Sequence, residues 1–545
     1  MQKRLCWYSS AQWAAFTPTL LKSGVLWHNS PLPIEIFAKK FGERAAMPLR
    51  RNPLLYEINT WVWLNDLSQR YQRPLTLETV PDEVFDELAA LHMDAIWLMG
   101  IWQRSPHGRQ VARHLNFLLE EYRRALPSVS QEQIIGSPYA VYRYEVDPHY
   151  GGREALAAFR QKLAAHGMKL ILDYVPNHVA IDHDWTVEAP DALIEVSAEQ
   201  AAAQPGMYFA APRPEANGRY FAHGRDPYFP AWSDTTQVDA FAPRARQVTR
   251  ETLNTIAQQC DGVRCDMAML LVSRIFSSTW QRPELPTQEF WVEVIGGVRA
   301  QHPDFLFMAE VYWDMEADLL AHGFDYAYDK RLYDRLLHES PSSVRDHLTA
   351  ALSYQRHMVR FTENHDEARA MASFGRARGQ MAALLSATLP GMTLFYEGQL
   401  EGRRVKLPVQ LGARPYEPAD AETVAFYQAL LAEVNADIYH AGVFTLLGVL
   451  PLNGGSHTEP LFAYTWAQGA ERRVVVVNLS RDSAAQGRVM LGDPALGGAA
   501  AWRFTDAFNT ADSFLVPTDS LLTGGLYASL PPNGYKVYHL AAAER

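Results

Sequence analysis

The sequence predicts an α/β fold: a (β/α)8 TIM barrel with an inserted subdomain after its third strand and an antiparallel β-sandwich domain at the C-terminal end. Eight β-rich runs recur between residues 54 and 398, and helical patterns lie between most of them. Alternating strands and helices are typical of a parallel sheet, and eight such units favour a closed barrel. After Tyr439 the β runs continue with turns and without helices, which is typical of an antiparallel sandwich.

The predicted barrel strands are short apolar runs rich in β-branched and aromatic residues. In chain order they are LLYEINTWVWL, DAIWLMG, MKLILDYV, DGVRCDM, FLFMAEVYW, FDYAY, HMVRFT and MTLFYEG. The helices between them place apolar residues at positions i, i+3 and i+4, and two of them end in Gly. Their sequences are DEVFDELAALH, REALAAFRQKLAAHG, RARQVTRETLNTIAQQC, SSVRDHLTAALSYQ and ARGQMAALLSATLPG.

Two connections are too long for ordinary barrel loops. Residues 100–151 and residues 179 to about 243 each follow a predicted strand, so both lie at the face where barrel enzymes assemble their sites. We therefore expect four parts along the chain. They are an N-terminal extension at 1–52, the catalytic barrel at 53–178 and 244–438, an inserted B-type subdomain at 179–243 and the C-terminal β-sandwich at 439–545.

The composition disfavours several classes of protein. Apolar residues make up 48% of the chain and charged residues 20%, so most of it should be packed and folded. The net charge of −11 argues against a nucleic-acid or anionic-membrane partner, and no run of about 18 apolar residues predicts a membrane span. Cys6, Cys260 and Cys265 fit no disulfide framework or metal-ligand spacing, so we expect a reducing, cytoplasmic location.

Ionisable side chains stand at the C-terminal ends of four predicted strands. Because these ends meet at one face of a barrel, their side chains should converge there. Taken alone, the Arg264–Asp266 pair is better explained by a structural salt bridge. A structural explanation of all these residues needs four separate buried ion networks at one rim, whereas a single acid–base site explains them together. The residues are Asp173, Asn177 and His178 after the third strand, Arg264 and Asp266 in the fourth, Glu310 after the fifth, and Glu363, Asn364, His365 and Asp366 after the seventh.

Carboxyl groups at this face suit glycoside cleavage with retention of configuration. That reaction needs one carboxylate to attack the anomeric carbon and a second, protonated carboxyl about 5–5.5 Å away to protonate the leaving oxygen. We expect Asp266 to be the nucleophile, with its pKa lowered by Arg264 on the same strand face. Glu310 suits the acid/base because it ends an apolar run, and Asp366 suits the stabilisation of the oxocarbenium charge. His178 and His365 would donate to sugar hydroxyls.

Four ordered motifs give the sequence a family resemblance. DYVPNH, GVRCDMA, FMAEVYWD and FTENHDE resemble the signature regions of the α-amylase family of glycoside hydrolases, and GMTLFYEGQ is similar to that family's strand-eight motif. The resemblance covers roughly residues 54–400. It implies Asp266 as nucleophile, Glu310 as acid/base and Asp366 as transition-state stabiliser. It also implies Tyr139 as the aromatic platform under the cleaved sugar, with Asp173, His178, Arg264 and His365 in the surrounding shell.

The resemblance implies no required cofactor, although the family often binds a structural Ca²⁺ beside the inserted subdomain. The stretch HVAIDHDW, residues 178–185, holds His and Asp but matches no zinc spacing, so a solvated loop is the favoured interpretation. Two further alternatives stay open. Tyr228 and Trp232 could stack on sugar or pack within the insertion. The basic stretch GRRVKLPVQLG could contact an anionic acceptor or lie in solvent.

The predicted function is a retaining glycoside hydrolase that cleaves α-1,4-glucosidic bonds of α-glucans or malto-oligosaccharides through a glucosyl-aspartate intermediate. An α-glucan transglycosylase with the same three carboxylates is the alternative. A non-catalytic carbohydrate-binding relative is disfavoured because all three carboxylates are present. Two departures affect specificity: Ala140 replaces the acidic residue found in many relatives that trim single glucose units, and Met267–Leu271 are apolar where many starch-type amylases carry a Lys and a His.

Overall fold

The structure, a computed structural model, describes residues 49–452 and 457–543. Most of the predicted N-terminal extension, together with Cys6, lies outside these residues. The described chain forms a closed parallel barrel, an insertion between the third and fourth barrel strands, and a C-terminal antiparallel β domain. The predicted fold class is therefore confirmed. Among the described residues, no helix combines the length and apolar character needed to cross a membrane.

Eight parallel strands close the barrel, because the first pairs with both the second and the eighth. Each predicted run supplies one of them. The strands are β1 Leu54–Asn59, β2 Ala95–Met99, β3 Lys169–Tyr174, β4 Gly262–Cys265, β5 Leu306–Ala309, β6 Tyr326–Tyr328, β7 Met358–Arg360 and β8 Met392–Tyr396.

Five of the helices lie where the apolar periodicity predicts them, and others, among them Phe290–Arg299 and Lys330–His338, were not predicted. Two elements differ from their predictions. The first predicted strand run is helical from Thr60 onward, where the Asn59 side chain caps the new helix. The helix predicted over 342–355 is split into two by a turn. The helices are α1 Thr60–Arg70, α2 Asp82–Ala90, α3 Pro106–His114, α4 Asn116–Ala125, α5 Gly152–Ala165, α6 Trp185–Glu188, α7 Ala198–Ala203, α8 Pro243–Ala257, α9 Ser273–Trp280, α10 Phe290–Arg299, α11 Glu316–Ala321, α12 Lys330–His338, α13 Pro341–Leu348, α14 Leu352–Gln355, α15 Ala370–Ser373, α16 Arg376–Thr388, α17 Ala421–Val434, α18 Asp437–Ala441 and α19 Thr518–Gly524.

The insertion between β3 and β4 has its own small sheets and core. His178–Ala180 pairs with Thr235–Gln237 in an antiparallel ribbon. A three-stranded sheet joins Glu195–Val196, Tyr220–Ala222 and Tyr208–Ala210. Buried side chains such as Val179, Leu193, Phe221 and Val238 form a cluster separate from the barrel core. The earlier long connection, after β2, holds α3, α4 and the antiparallel pair Trp102–Arg104 and Val141–Val146.

The C-terminal domain contains eight antiparallel strands. They are β9 Val443–Leu450, β10 Leu461–Gln468, β11 Glu471–Asn478, β12 Ala485–Met490, β13 Ala501–Asp506, β14 Asn509–Pro517, β15 Leu526–Leu530 and β16 Tyr535–Ala543. Their order is β14-β13-β16-β11-β10-β9-β12-β15. The first half of β9 pairs with β10 and its second half with β12, so β9 joins two sheets. Apolar side chains from both sheets form one buried cluster.

Candidate active site

The C-terminal ends of four barrel strands bring the predicted site residues together. Arg264, in β4, lies beside Asp173 of β3 in the parallel register. Asp266 and Glu310 are the first residues beyond β4 and β5 respectively, and Asp366 lies in the loop after β7. Short apolar strands that end on a charged residue therefore place each carboxyl at the same mouth of the barrel.

Arg264 is the centre of this cluster. Its guanidinium is 0% exposed and contacts four carboxylates. Nη1 lies 2.8 Å from Asp266 Oδ1 and 3.9 Å from Asp173 Oδ1. Nη2 lies 2.6 Å from Glu310 Oε2 and 3.9 Å from Asp366 Oδ2. One buried cation thus binds the nucleophile and acid/base candidates through its two terminal nitrogens.

Aromatic rings surround the rest of the guanidinium. Its carbon lies 5.3 Å from the centres of the Trp97 and Tyr139 rings and 5.7 Å from that of Tyr328. Arg264 Nε also donates to the Tyr328 hydroxyl at 3.3 Å. A buried charge is tolerated when it is paired and hydrogen-bonded, and the ring faces add cation–π attraction.

Glu310 is held by one ion pair and two hydrogen bonds. Besides the Arg264 guanidinium, the Met267 backbone N–H donates to Oε2 at 2.6 Å and the Tyr312 hydroxyl donates to Oε1 at 2.7 Å. Met267 has a left-handed backbone, with φ 43°. This conformation is uncommon for a residue other than Gly, Asn or Asp, and strained backbone of this kind clusters at functional sites.

Asp366 is more open than the other two acids, with a side chain 40% exposed. Its Oδ2 lies 2.9 Å from His365 Nε2, its backbone N–H donates to Asn364 Oδ1 at 2.9 Å, and Lys406 donates to its backbone carbonyl. Burial tends to raise the pKa of Asp366, but His365, Arg264 and Lys406 outweigh it and hold the pKa well below its usual range. Asp366 is therefore ionised throughout the neutral range.

Asp266 behaves differently from the expectation based on Arg264. Burial and the adjacent Glu310 charge raise the pKa of Asp266 to about 8, although Arg264 acts in the opposite direction. The prediction of a lowered pKa is therefore wrong. The physical reason is that Arg264 is shared with Glu310 in a site shielded from water. Burial therefore favours the protonated form of Asp266 near neutral pH more than the sequence indicated.

Three other predicted residues line the cluster. The Tyr139 ring stacks on His365, with centres 5.3 Å apart, and its hydroxyl lies 2.7 Å from His365 Nε2. Asp173 Oδ2 accepts from the Gly100 N–H at 2.8 Å, and burial raises the pKa of Asp173 to about 6 against the effect of Arg264. His178 packs against Trp232, with ring centres 4.9 Å apart, and burial lowers the pKa of His178 to about 3.

Sequence reasoning missed several residues that hold this site. Glu57, in β1, bonds to His365 Nδ1. Tyr312 bonds to Glu310, Tyr328 bonds to Arg264, and Lys406 bonds to Asp366. A single charge inside the apolar run LLYEIN was the available signal for Glu57. Glu363, in contrast, forms a separate ion pair with Arg369 at 2.7 Å and does not contact the cluster through any described bond.

The residues beside the insertion do not fit a Ca²⁺ ion. The described chain contains no group of three or more His, Cys, Asp or Glu side chains that could hold a metal. Asp182 accepts from the Ser105 hydroxyl at 2.6 Å and from the His107 N–H at 3.1 Å, and Asp184 pairs with two arginines.

Three oxygens do converge near the junction of the insertion and the barrel, but a side chain occupies the point between them. Gln237 Nε2 donates to the Asn177 backbone oxygen at 2.8 Å, to Asn177 Oδ1 at 3.0 Å and to the Val238 oxygen at 3.0 Å. An amide nitrogen there repels a cation, so these oxygens are not available as metal ligands.

Comparisons with known proteins agree with this geometry. A family model described as the alpha amylase catalytic domain matches residues 82–407. Alpha-amylase 3 of Dictyoglomus thermophilum is 22% identical over 311 residues, which are 54% of this chain and 58% of that protein. The alpha-1,4-glucan:maltose-1-phosphate maltosyltransferase of Pseudomonas aeruginosa is 26% identical over 200 residues, 35% of this chain and 25% of that protein.

The chain thus spans less than two thirds of the length of these curated relatives. Among solved structures, the maltogenic alpha-amylase AmyB of Thermotoga neapolitana aligns with a TM-score of 0.62 and 16% identity, covering 90% of this chain and 99% of that one. At that identity the alignment shows a common fold. Because the family match covers more than half of the chain and includes all three acids, the chain belongs to the α-amylase family of glycoside hydrolases.

Proposed function

We propose that the protein cleaves α-1,4-glucosidic bonds of α-glucans or malto-oligosaccharides with retention of configuration, through a covalent glucosyl-aspartate intermediate. The observation that carries this proposal is the contact of Arg264 with Asp266, Glu310 and Asp366 at one mouth of the barrel. A retaining enzyme requires two of these carboxyls close together, one ionised and one protonated. Asp266 and Glu310, which bind the two terminal nitrogens of Arg264, are the pair to which we assign these roles, with the proton on Glu310 when substrate is bound.

In the first step, an Asp266 carboxylate oxygen attacks the anomeric carbon while the bond from that carbon to the glycosidic oxygen breaks. Glu310 donates its proton to the departing oxygen. Because Arg264 contacts both acids, it stabilises whichever one carries the charge as the proton moves. Positive charge develops on the sugar ring. We assign its stabilisation to the ionised Asp366 and to the Tyr139 ring, which would lie under the sugar.

In the second step, Glu310 is a carboxylate and acts as a base. It removes a proton from water or from a sugar hydroxyl, whose oxygen attacks the anomeric carbon, and the bond to Asp266 breaks. The enzyme returns to its starting protonation state. Asp173, His178 and His365 are proposed to bind hydroxyls of the sugar being cleaved, and Arg264 to keep the two reacting acids in place.

The transglycosylase alternative rests on the residues after the nucleophile. Met267 to Leu271 are apolar, and four of these residues are buried. Met267 is the partly exposed member of this stretch, and we propose that it faces the leaving group, where exclusion of water favours a sugar acceptor. The name of the Pseudomonas aeruginosa relative describes a maltosyltransferase, which is consistent with this alternative.

Two measurements on maltoheptaose test the proposal. Proton NMR of the first product formed should show the α-anomer, and appearance of the β-anomer would overturn the retaining mechanism. The product profile with and without added glucose or maltose separates the two candidates. Only shorter chains identify a hydrolase, and longer or rearranged chains identify a transferase. No turnover of any α-glucan would contradict both.

We further propose that the protein acts in a reducing, cytoplasmic compartment on a neutral glucan rather than on nucleic acid. The net charge of −11 supports a neutral partner. The described cysteines, Cys260 and Cys265, are both buried free thiols, which supports a reducing setting. Fractionation of the source cells, with the protein followed by antibody, tests the location.

A further inference from the structure

Glu57 is a charged residue in a strand whose six residues are all buried. Its side chain is 0% exposed, and Oε1 is bonded to His365 Nδ1. Within the described chain, Oε2 is buried without a hydrogen-bond partner. A buried carboxylate that lacks a full set of donors costs free energy. An apolar residue in the same strand would avoid that cost, so packing alone does not explain a carboxylate at this position.

His365 links Glu57 to the reacting acids. The opposite nitrogen of its ring, Nε2, lies 2.9 Å from Asp366 Oδ2 and 2.7 Å from the Tyr139 hydroxyl. The ring is held between a stacked Tyr139 and the edge of Trp97, with centres 5.3 and 5.5 Å away. Each ring nitrogen therefore faces a carboxylate, and only a doubly protonated imidazole donates to both.

We propose that Glu57 is a positioning residue of the active site, which keeps His365 doubly protonated so that its Nε2–H points permanently at Asp366 and Tyr139. The inference deepens the proposed function and rests on it, because Asp366 and Tyr139 are the groups assigned there to the sugar undergoing cleavage. Through His365, Glu57 fixes both the charge and the orientation of Asp366.

The charges around His365 support this role. The groups that face it from the packed elements are Glu57 of β1, Tyr139 of the loop after β2, Asp173 of β3 and Asp366 of its own loop. Burial tends to lower the pKa of His365, but Asp366 and Glu57 outweigh burial and raise it to about 10. Without the Glu57 charge, Asp366 is the main group left to oppose the lowering of the His365 pKa by burial.

The sign of the expected change follows from these charges. A histidine carries its second proton below its pKa, so in the wild-type protein the ring stays charged across the neutral range. Loss of one adjacent carboxylate lowers a pKa of this kind by about 1–3 units. In Glu57→Gln the ring therefore loses a proton at neutral to mildly alkaline pH. The bare Nε2 lone pair then faces the Asp366 carboxylate and repels it.

The direct test is the protonation state of His365 in the full-length protein. Nitrogen-15 NMR of histidine-labelled wild-type protein, with the signal assigned by comparison with His365→Asn, should show both ring nitrogens protonated at about pH 8. Glu57→Gln should titrate at lower pH. A neutral ring in the wild-type protein, or a ring that titrates identically in both proteins, would overturn the inference. Neither outcome depends on turnover, so a failure of the proposed function remains a separate result.

Kinetics on maltoheptaose provide the second readout. In Glu57→Gln the alkaline limb of the profile of kcat/KM against pH should begin at lower pH, because His365 then loses its proton within the pH range in which the wild-type enzyme is active. Glu57→Asp keeps the charge, so its alkaline limb should stay near the wild-type position, and it replaces Glu57→Gln as the informative variant if the latter does not fold. An alkaline limb that moves equally in Glu57→Asp would count against a role for the charge.

A control is available in a second carboxylate–imidazole pair, whose carboxylate is buried and whose imidazole is partly exposed. Glu433 Oε2 lies 2.7 Å from His539 Nε2, between α17 and the C-terminal domain. Glu433→Gln should lower the unfolding temperature without moving the alkaline limb. If Glu433→Gln and Glu57→Gln shift the limb to the same extent, the effect is general destabilisation and the positioning role is wrong.

Discussion

At the scale of single residues, the site depends on one buried guanidinium that serves several acids. Arg264 contacts the nucleophile and the acid/base candidates with separate nitrogens, so the two acids share one cation. The sequence indicated which residues meet. It did not indicate this sharing, because a strand pattern shows that Arg264 and Asp266 lie on the same face but not that Glu310, on another strand, reaches the same cation.

Asp266→Asn tests the nucleophile. The amide has the same shape as the carboxylate but cannot form the covalent intermediate, so kcat should fall by at least about a thousandfold. The unfolding temperature should not fall, because the substitution removes a buried acid whose pKa is raised to about 8 by burial and by Glu310. Full turnover by a folded Asp266→Asn protein would refute the assignment.

The pH profile tests the roles of the two acids. Activity requires an ionised Asp266 and a protonated Glu310, so kcat/KM should rise and fall in a bell shape. The acidic limb should lie close to neutral pH, because the raised pKa of Asp266 delays the formation of the attacking carboxylate. Activity that stays level from mildly acidic to strongly alkaline pH would contradict these roles.

At the scale of elements, apolar runs were sufficient to predict all eight barrel strands, because buried parallel strands are nearly continuous in hydrophobicity. The apolar runs did not predict where the first strand ends. Helix α1 follows β1 without an intervening loop, and the buried helix residues Val62, Leu64 and Leu67 extend the apolar pattern. The apolar pattern also could not predict the contact between Glu57 and His365, because it describes neighbouring residues and these two are 308 positions apart.

Gly262→Ala tests the close packing of β4 against its neighbours. A Cβ at Gly262 would lie 2.6 Å from Leu306 Cβ and 2.8 Å from the Leu306 backbone oxygen. Overpacking of this kind should lower the free energy of unfolding by about 1–3 kcal/mol, measured by urea denaturation. Gly296→Ala is the control, because no atom lies within 4 Å of a Cβ in that helix position. It should be neutral or stabilise by up to about 1 kcal/mol.

At the scale of the whole molecule, direct protein contacts join the parts. Gln237 ties the insertion to the end of β3 through Asn177. The C-terminal domain packs on the barrel helices through polar contacts such as Arg378 with the Leu479 backbone oxygen and Trp466 with the Thr388 backbone oxygen. The family resemblance allowed for a metal at the insertion, and only the side-chain geometry shows that an amide occupies that point.

Metal removal tests the junction. Because Gln237 occupies the point where three oxygens converge, excess chelator should leave both the unfolding temperature and the activity unchanged. Gln237→Leu should lower the free energy of unfolding by about 1–3 kcal/mol, because it leaves the buried Asn177 Oδ1 without its donor. A chelator-sensitive unfolding temperature that Ca²⁺ restores would show that the junction binds a cation.

The covalent intermediate is the most direct test of the convergence of the three acids. Incubation with 5-fluoro-α-glucosyl fluoride, followed by peptide mass spectrometry, should place a single fluoroglucosyl ester on Asp266, and Asp266→Asn should remain unlabelled. An active enzyme that carries the label on another residue, or that turns over the reagent without any ester forming on Asp266, would contradict the account.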